Sequence, residues 1–366
     1  MMPQTELLEK YDGWLKKTGP SALIIREYLM PVEGHDGVLF PATFAASQDN
    51  TFKGGYNIDE FSDGRNVCLI DSVGSQANRI EPMFMEQGYA RLLPQVVVIA
   101  GDKHVNLLEA GHRAGDAIVR CSGLVEDLRN AFNEVQKGNA EPMAKIAPTS
   151  LVFGVWDSRD TQAKLPRLVS STIRAYDVHP LTRSATYIPP IDHIAEGTIP
   201  DYEGDKKKKE MYSKRGWLHA IPSRTHGGVI AEGGIRRDAS LHLAALRLLK
   251  AGGDENKTLL LRRYILGLAL TAFTAMPASY LRQGCNLVLD AGKQCELKLV
   301  FNDGRREDVA LTHEDAIAYA KATAEAFGIG PDRDVMFDKE LAKKDVDDSA
   351  TVGKQKNKRS RAEKTM

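Results

Sequence analysis

Three features of the chain predict an α+β protein. Strand-type and helix-type segments follow one another in mixed order with no recurring βα unit, and no internal repeat is present. A stretch of about fifty residues, 177–228, shows no sustained period of 2 or 3.6, as expected of a long insertion into a folded domain. The length allows one large domain or two ordinary ones; the expectation adopted is one over residues 1–345, with the insertion inside it and a basic, disordered tail over 346–366.

In chain order, Met1 to Lys17 is polar and helix-like, with Leu7, Leu8, Tyr11 and Leu15 on one side. Ser21 to Met30 is β-favouring and bounded by Gly19-Pro20 and Pro31, which predicts a strand. Val67 to Ile70 and Gln95 to Ala100 are apolar runs of strand length. From Lys103 to Val135 two helical patterns are predicted, one placing Val105, Leu108, His112, Gly115 and Val119 on a face, the other Leu124, Leu128, Ala131 and Val135. Ser150 to Trp156 reads as a strand, followed by the polar loop DSRDTQAK and by a helix or extended arm from Leu165 to Tyr176. Ser240 to Lys250 and Lys257 to Ala275 carry helical faces, and Asn286 to Asp290 reads as a strand. Cys295 to Phe301 alternates, turns at Asn302-Asp303-Gly304 and returns through Glu307 to Leu311 as a hairpin. Thr312 with Asp315 predicts a capping box for a helix to Phe327, which Gly328 ends.

The charges sum to zero, 49 Lys plus Arg against 49 Asp plus Glu, so any polyanion-binding surface has to be a segregated patch and not a global field. Four cysteines without a C-x-x-C pair suit a reducing cytoplasm. No stretch resembles a signal peptide, and the longest apolar run, Tyr264 to Met276, is too short to span a bilayer. The expected location is therefore cytoplasmic, without a membrane partner.

The segment VCLIDSVGSQANRIEPMF, Val67 to Phe84, is the richest in information. Ser72 is a candidate N-cap. Val73, Ala77, Ile80 and Phe84 form an apolar stripe, and Ser75, Asn78 and Arg79 lie opposite it. Pro82 shortens or kinks the helix. A hydroxyl, two amides and a guanidinium at Ser75, Gln76, Asn78 and Arg79 suit phosphate and 2′-hydroxyl contacts; the same set also suits a polar surface or an internal hydrogen-bond network.

This segment, together with AGHRAGDAIVR (110–120), PTSLVFGVWDSRDTQAKLPRLVSSTIRAYDV (148–178) and GGIRRDASLHLAALRLL (233–249), resembles the backbone subunit of the type I-G, formerly I-U, CRISPR Cascade interference complex. That subunit belongs to the Cas-seven group, Csb-one type, within the RAMP superfamily. The resemblance implies an RRM-like (ferredoxin-like) RAMP palm with a thumb-like segment over about 177–228. It implies a non-catalytic subunit that binds guide RNA (crRNA) irrespective of sequence, polymerises along it and presents the spacer to target DNA. Implied partners are crRNA, target DNA through the guide, neighbouring copies of the chain, and the other Cascade subunits, a fused Cas-five/Cas-six type subunit and a large subunit. No cofactor or metal is expected.

Further candidates lie in two other segments. DSRDTQAKLPR brings Asp157, Arg159, Asp160, Lys164 and Arg167 together, a set suited either to a metal between carboxylates or to phosphates among cations, and the resemblance favours the cations. Arg236 and Arg237 follow Gly233-Gly234, where they can span adjacent phosphates or make intersubunit ion pairs. The RNA-facing set is therefore Ser75, Gln76, Asn78, Arg79, Arg159, Lys164, Arg167, Arg236 and Arg237. In the insertion, Asp201 to His226 holds seven Lys or Arg against four Asp or Glu, with Tyr202, Tyr212 and Trp217 interleaved. His112 is read as a core histidine, and Glu109/Arg113 and Asp116/Arg120 as solvated i, i+4 pairs. Nucleotide-binding, nucleophile-elbow and zinc-hydrolase motifs are absent. Two rival readings are an RNA-processing endoribonuclease using His226 beside Arg224, assisted by His179 or His193, and a structural homo-oligomer without nucleic acid.

Overall fold

The computed structural model describes residues 4–183, 186–220, 226–276 and 278–347. Arg224 and the tail 348–366 lie outside them, whereas 339–347 are helical. The centre is a nine-stranded antiparallel sheet. Its strands are β1 (Ala22–Pro31), β2 (Ile58–Glu60), β3 (Asn66–Asp71), β4 (Val169–Tyr176), β5 (Ile235–Leu241), β6 (Tyr280–Arg282), β7 (Cys285–Leu289), β8 (Glu296–Val300) and β9 (Arg306–Asp308). The spatial order is β6-β7-β1-β5-β4-β3-β2. β1 is central: one edge pairs with β5 from Leu23↔Leu241 to Leu29↔Ile235, and the other is shared between β8 and β7. The mixed α+β expectation holds.

Alternation along β5 sets the two faces of the sheet, with Ile235, Arg237, Ala239 and Leu241 buried and Arg236, Asp238 and Ser240 half-buried. Helices cover the first face. Helix α1 (Val73–Ile80) packs on β4, and α2 (Glu255–Thr274) packs on β4 and β5 and crosses α3 (His313–Phe327). The crossing is close because of Gly267, where a Cβ would lie 2.8 Å from Ala320 Cα and 2.6 Å from the Thr323 hydroxyl. The apolar run Tyr264 to Met276 thus lies mainly in this buried helix. Two apolar cores result, a large one under the helices and a smaller one around Leu29, Cys68, Ile70, Ile173 and Ile235.

The caps act as their residue types dictate. Ser72 accepts from the Ser75 amide, Thr312 and Asp315 make the capping box, and Gly328 ends α3 at φ +65°. At Glu81, followed by Pro82, the helix tightens to a 3₁₀ turn over Glu81–Met85.

Several expectations need correction. Ser150 to Trp156 is not a strand: Thr149–Phe153 is helical and only Val155–Trp156 is extended. A short apolar run has no period of its own to choose between the two, and here both helix and strand would be buried. The first helix predicted after Lys103 is instead a strand, Lys103–Asn106, then 3₁₀ turns at Leu107–Glu109 and Arg113–Gly115 and a short helix at Ala117–Arg120. That strand pairs with Val96–Ala100 in a small separate sheet, whose third strand, Arg333–Met336, the apolar pattern did not mark. Leu165 to Tyr176 is extended from Val169 onward. Leu241 belongs to β5, so the helix of that segment shrinks to Leu243–Leu246. Within the insertion a polar helix, Lys206–Lys214, is capped by Asp205.

Candidate nucleic-acid interface

The RNA-facing set predicted from sequence divides among three places. The first is built around Asp71, at the end of β3 and 1% exposed. Its carboxylate accepts from Ser75 Oγ (2.8 Å), Gln76 Nε2 (2.7 Å), Arg79 Nε (3.2 Å) and Arg282 (2.9 Å). Gln76 in turn accepts from Ser171 Oγ, and Arg79 donates to the Leu281 carbonyl. Arg237 is 2% exposed and pairs with Glu27 at 2.5 Å. Gln76 thus has both ends of its amide bonded inside the fold, and Arg237 gives its Nε to Glu27, so each has a structural partner in place before any RNA is bound. A buried carboxylate needs such donors, so the network satisfies it. Gln76, Arg79 and Arg237 still meet at the wall of one cleft of about 320 Å³, beside Tyr89, Met276 and His313.

The second place is the half-buried face of the sheet. Arg236 bonds Asp238 at 2.7 Å and the Tyr176 hydroxyl at 2.7 Å, and it lies over the Tyr176 ring. Its charge is thereby shared with a neighbouring carboxylate.

The third is a groove of about 490 Å³ where residues 111–120 meet 154–167. Arg159, Lys164 and Arg167 are exposed on its wall, and among the described residues none of the three has an ion-pair partner. No Asp or Glu is among the described residues that line it. Asp157 does not take part, because its buried carboxylate accepts the Asp160 and Thr161 amides and the Thr161 hydroxyl, and Asp160 pairs with Arg129. Both carboxylates of the two-carboxylate metal reading thus have protein partners, and no group of three or more metal-binding side chains occurs among the described residues.

Two glycines give the groove its shape. At Gly115 a Cβ would come within 3.1 Å of the Trp156 carbonyl, and at Gly154, with φ +78°, within 3.0 Å of the Leu165 carbonyl. Under the groove Arg113 is 3% exposed, paired with Glu81 at 2.7 Å and set over Phe153. Burial outweighs this pairing: it pushes the Glu81 carboxyl up to about 7 and the Arg113 guanidinium down. Arg120, also on the lining, forms a two-pronged pair with Asp345, which holds that carboxyl below its usual range.

The i, i+4 pairs expected at 109–120 are thus replaced by longer-range partners, Glu81 and Asp345. His112 is not a core residue, since its side chain is 86% exposed on the groove wall. Asn78 is exposed, and its amide lies near Gly111 at the groove rim. Trp156, which sequence reading placed in an apolar strand, stands 59% exposed in the groove. Alternation from the buried Val155 was the available signal, masked by the run of apolar neighbours.

The histidines of the nuclease reading have separate partners. His226 lies on the Tyr56 ring, His179 pairs with Glu232, and His193 bonds Thr198 and meets Trp217 edge-on.

Fold and groove together define a class: a mixed antiparallel-sheet α+β protein with a segregated cationic surface. Residues 23–180 match the family described as CRISPR-associated protein GSU0053, so this part of the chain is similar to that family. That span holds β1, α1 and the whole groove. No curated protein matches the chain. Among the described residues, no helix is long and apolar enough to cross a membrane.

Proposed function

We propose that this chain is a non-catalytic backbone subunit of a type I-G CRISPR Cascade complex, binding crRNA without regard to sequence and polymerising along it to present the spacer to target DNA. The observation that carries the reading is the acid-free groove with Arg159, Lys164 and Arg167 unpaired on its wall. Cations without an ion-pair partner, on a wall without carboxylates, are placed for phosphates on a protein of zero net charge. Sequence indifference is what a guide-bearing subunit requires, because pairing carries the specificity.

The strand order also supports an RRM-like palm. Across β8-β1-β5-β4 the strands are fourth, first, third and second in the chain, as a β-α-β-β-α-β unit would place them, and 177–228 falls between the second and third as a thumb would. Copies stacked head to tail along one RNA would make heterologous contacts, which extend into filaments.

The test is to express the chain with a guide transcript and ask for a co-purifying RNA filament, then to titrate RNA at several salt concentrations. Arg159→Ala and Arg167→Ala should each weaken binding equally across unrelated sequences and reduce the salt slope by about 0.7. Arg79→Ala should change that slope less than these two do, since the Arg79 guanidinium also bonds Asp71 and the Leu281 carbonyl. Losses confined to one RNA sequence, or a protein that purifies free of RNA and binds none, would overturn the proposal, the latter in favour of a structural homo-oligomer.

A further inference from the structure

We propose that the groove holds one nucleotide of a single strand with its base stacked on the indole of Trp156, the flanking phosphates resting on Arg159, Lys164 and Arg167. This rests on the RNA-binding reading above and specifies how the strand is gripped. Trp156 is on a two-residue strand, Val155–Trp156, paired with Lys164–Leu165, so the inward side chains Val155 and Leu165 are buried and the indole is turned outward by the backbone itself. The amide of the next residue, Asp157, donates to the Ala163 carbonyl at 2.9 Å and holds that geometry.

A single exposed tryptophan is unremarkable on a protein surface; its position is what matters. This one stands in a groove whose volume falls in the range of small-ligand sites, with Lys164 Nζ 5.7 Å from its ring centroid. The described lining has no Asn, Gln, Asp or Glu, the side chains that pair with the edges of adenine and cytosine. What the groove offers is an aromatic face and positive charge, which accept any base. In a duplex the base faces are covered by their neighbours, so the site selects an unpaired strand.

The full-length chain is titrated with three probes of equal length: labelled oligouridylate, an abasic ribose-phosphate oligomer, and duplex RNA. Trp156→Ala should weaken oligouridylate binding roughly 5- to 100-fold and leave the abasic oligomer unaffected. Wild-type indole fluorescence should be quenched on binding; Trp156→Phe should retain most of the affinity and lose that quenching. Wild type should prefer oligouridylate to duplex. An unchanged thermal midpoint checks that this exposed substitution leaves the fold intact. Equal losses on the base-bearing and abasic strands, or no loss on either while Arg167→Ala weakens both, would overturn the stacking proposal alone. If wild type binds none of the probes, the RNA reading itself fails and this inference with it.

Discussion

At the residue scale, the contrast between Arg79 and Arg167 turns on one side chain. Both are arginines in polar segments, but Asp71 is buried within reach of the first and no carboxylate lines the groove beside the second. Ser75, Gln76, Arg79 and Arg282 together give the Asp71 carboxylate the donors it lost on leaving water. Asp71→Ala strips the network of its acceptor and leaves these donors with only part of their partners. Denaturant unfolding should show a loss on the order of 3 kcal/mol. A loss below about 0.5 kcal/mol would mean that the donors rehydrate without cost.

Elements are shaped here by where the backbone can come close. Gly154 ends the buried helix Thr149–Phe153 in a conformation that L side chains rarely adopt, and a Cβ there would press on the Leu165 carbonyl and the Arg167 amide. Gly154→Ala should therefore displace the strand that carries Lys164 and Leu165. It should weaken RNA binding and also lower the thermal midpoint, unlike Trp156→Ala, whose effect is confined to binding. An alanine variant with wild-type stability would show that the turn relaxes freely. Gly115 lets the other wall approach the Trp156 carbonyl and the Val155 side chain, so the groove rests on two close approaches, each made at a glycine.

For the whole molecule, zero net charge conceals a sorting of charge: most carboxylates near the site are spent on arginines below or beside the groove, and its wall is left cationic. The deepest such pair, Glu81 with Arg113, links stability to pH. Burial pushes the Glu81 carboxyl from 4.5 to about 7. Between those values the folded chain holds a proton that the unfolded chain has released, so this contribution to stability is complete below about 4.5 and is lost as pH rises through about 7. Glu81→Gln removes the titrating group. Its thermal midpoint should fall less than that of wild type between pH 4.5 and pH 7.5, and parallel profiles for the two proteins would refute the assignment.

Local chemistry in the sequence was sufficient for the caps at Ser72 and Thr312, the shortening at Pro82, the hairpin at Asn302-Asp303-Gly304 and the mixed α+β class, because each depends on residues within a few positions of one another. It also marked Arg159, Lys164 and Arg167 as a cationic set. Tertiary structure alone decided which polar residues stay free: Gln76 and Arg237 are drawn inward by Asp71 and Glu27, and His112 and Trp156 are turned outward. The reason is physical. A charge seeks whichever opposite charge the fold brings within a few ångströms, and those partners come from segments far apart along the chain, where no periodicity or motif records the meeting.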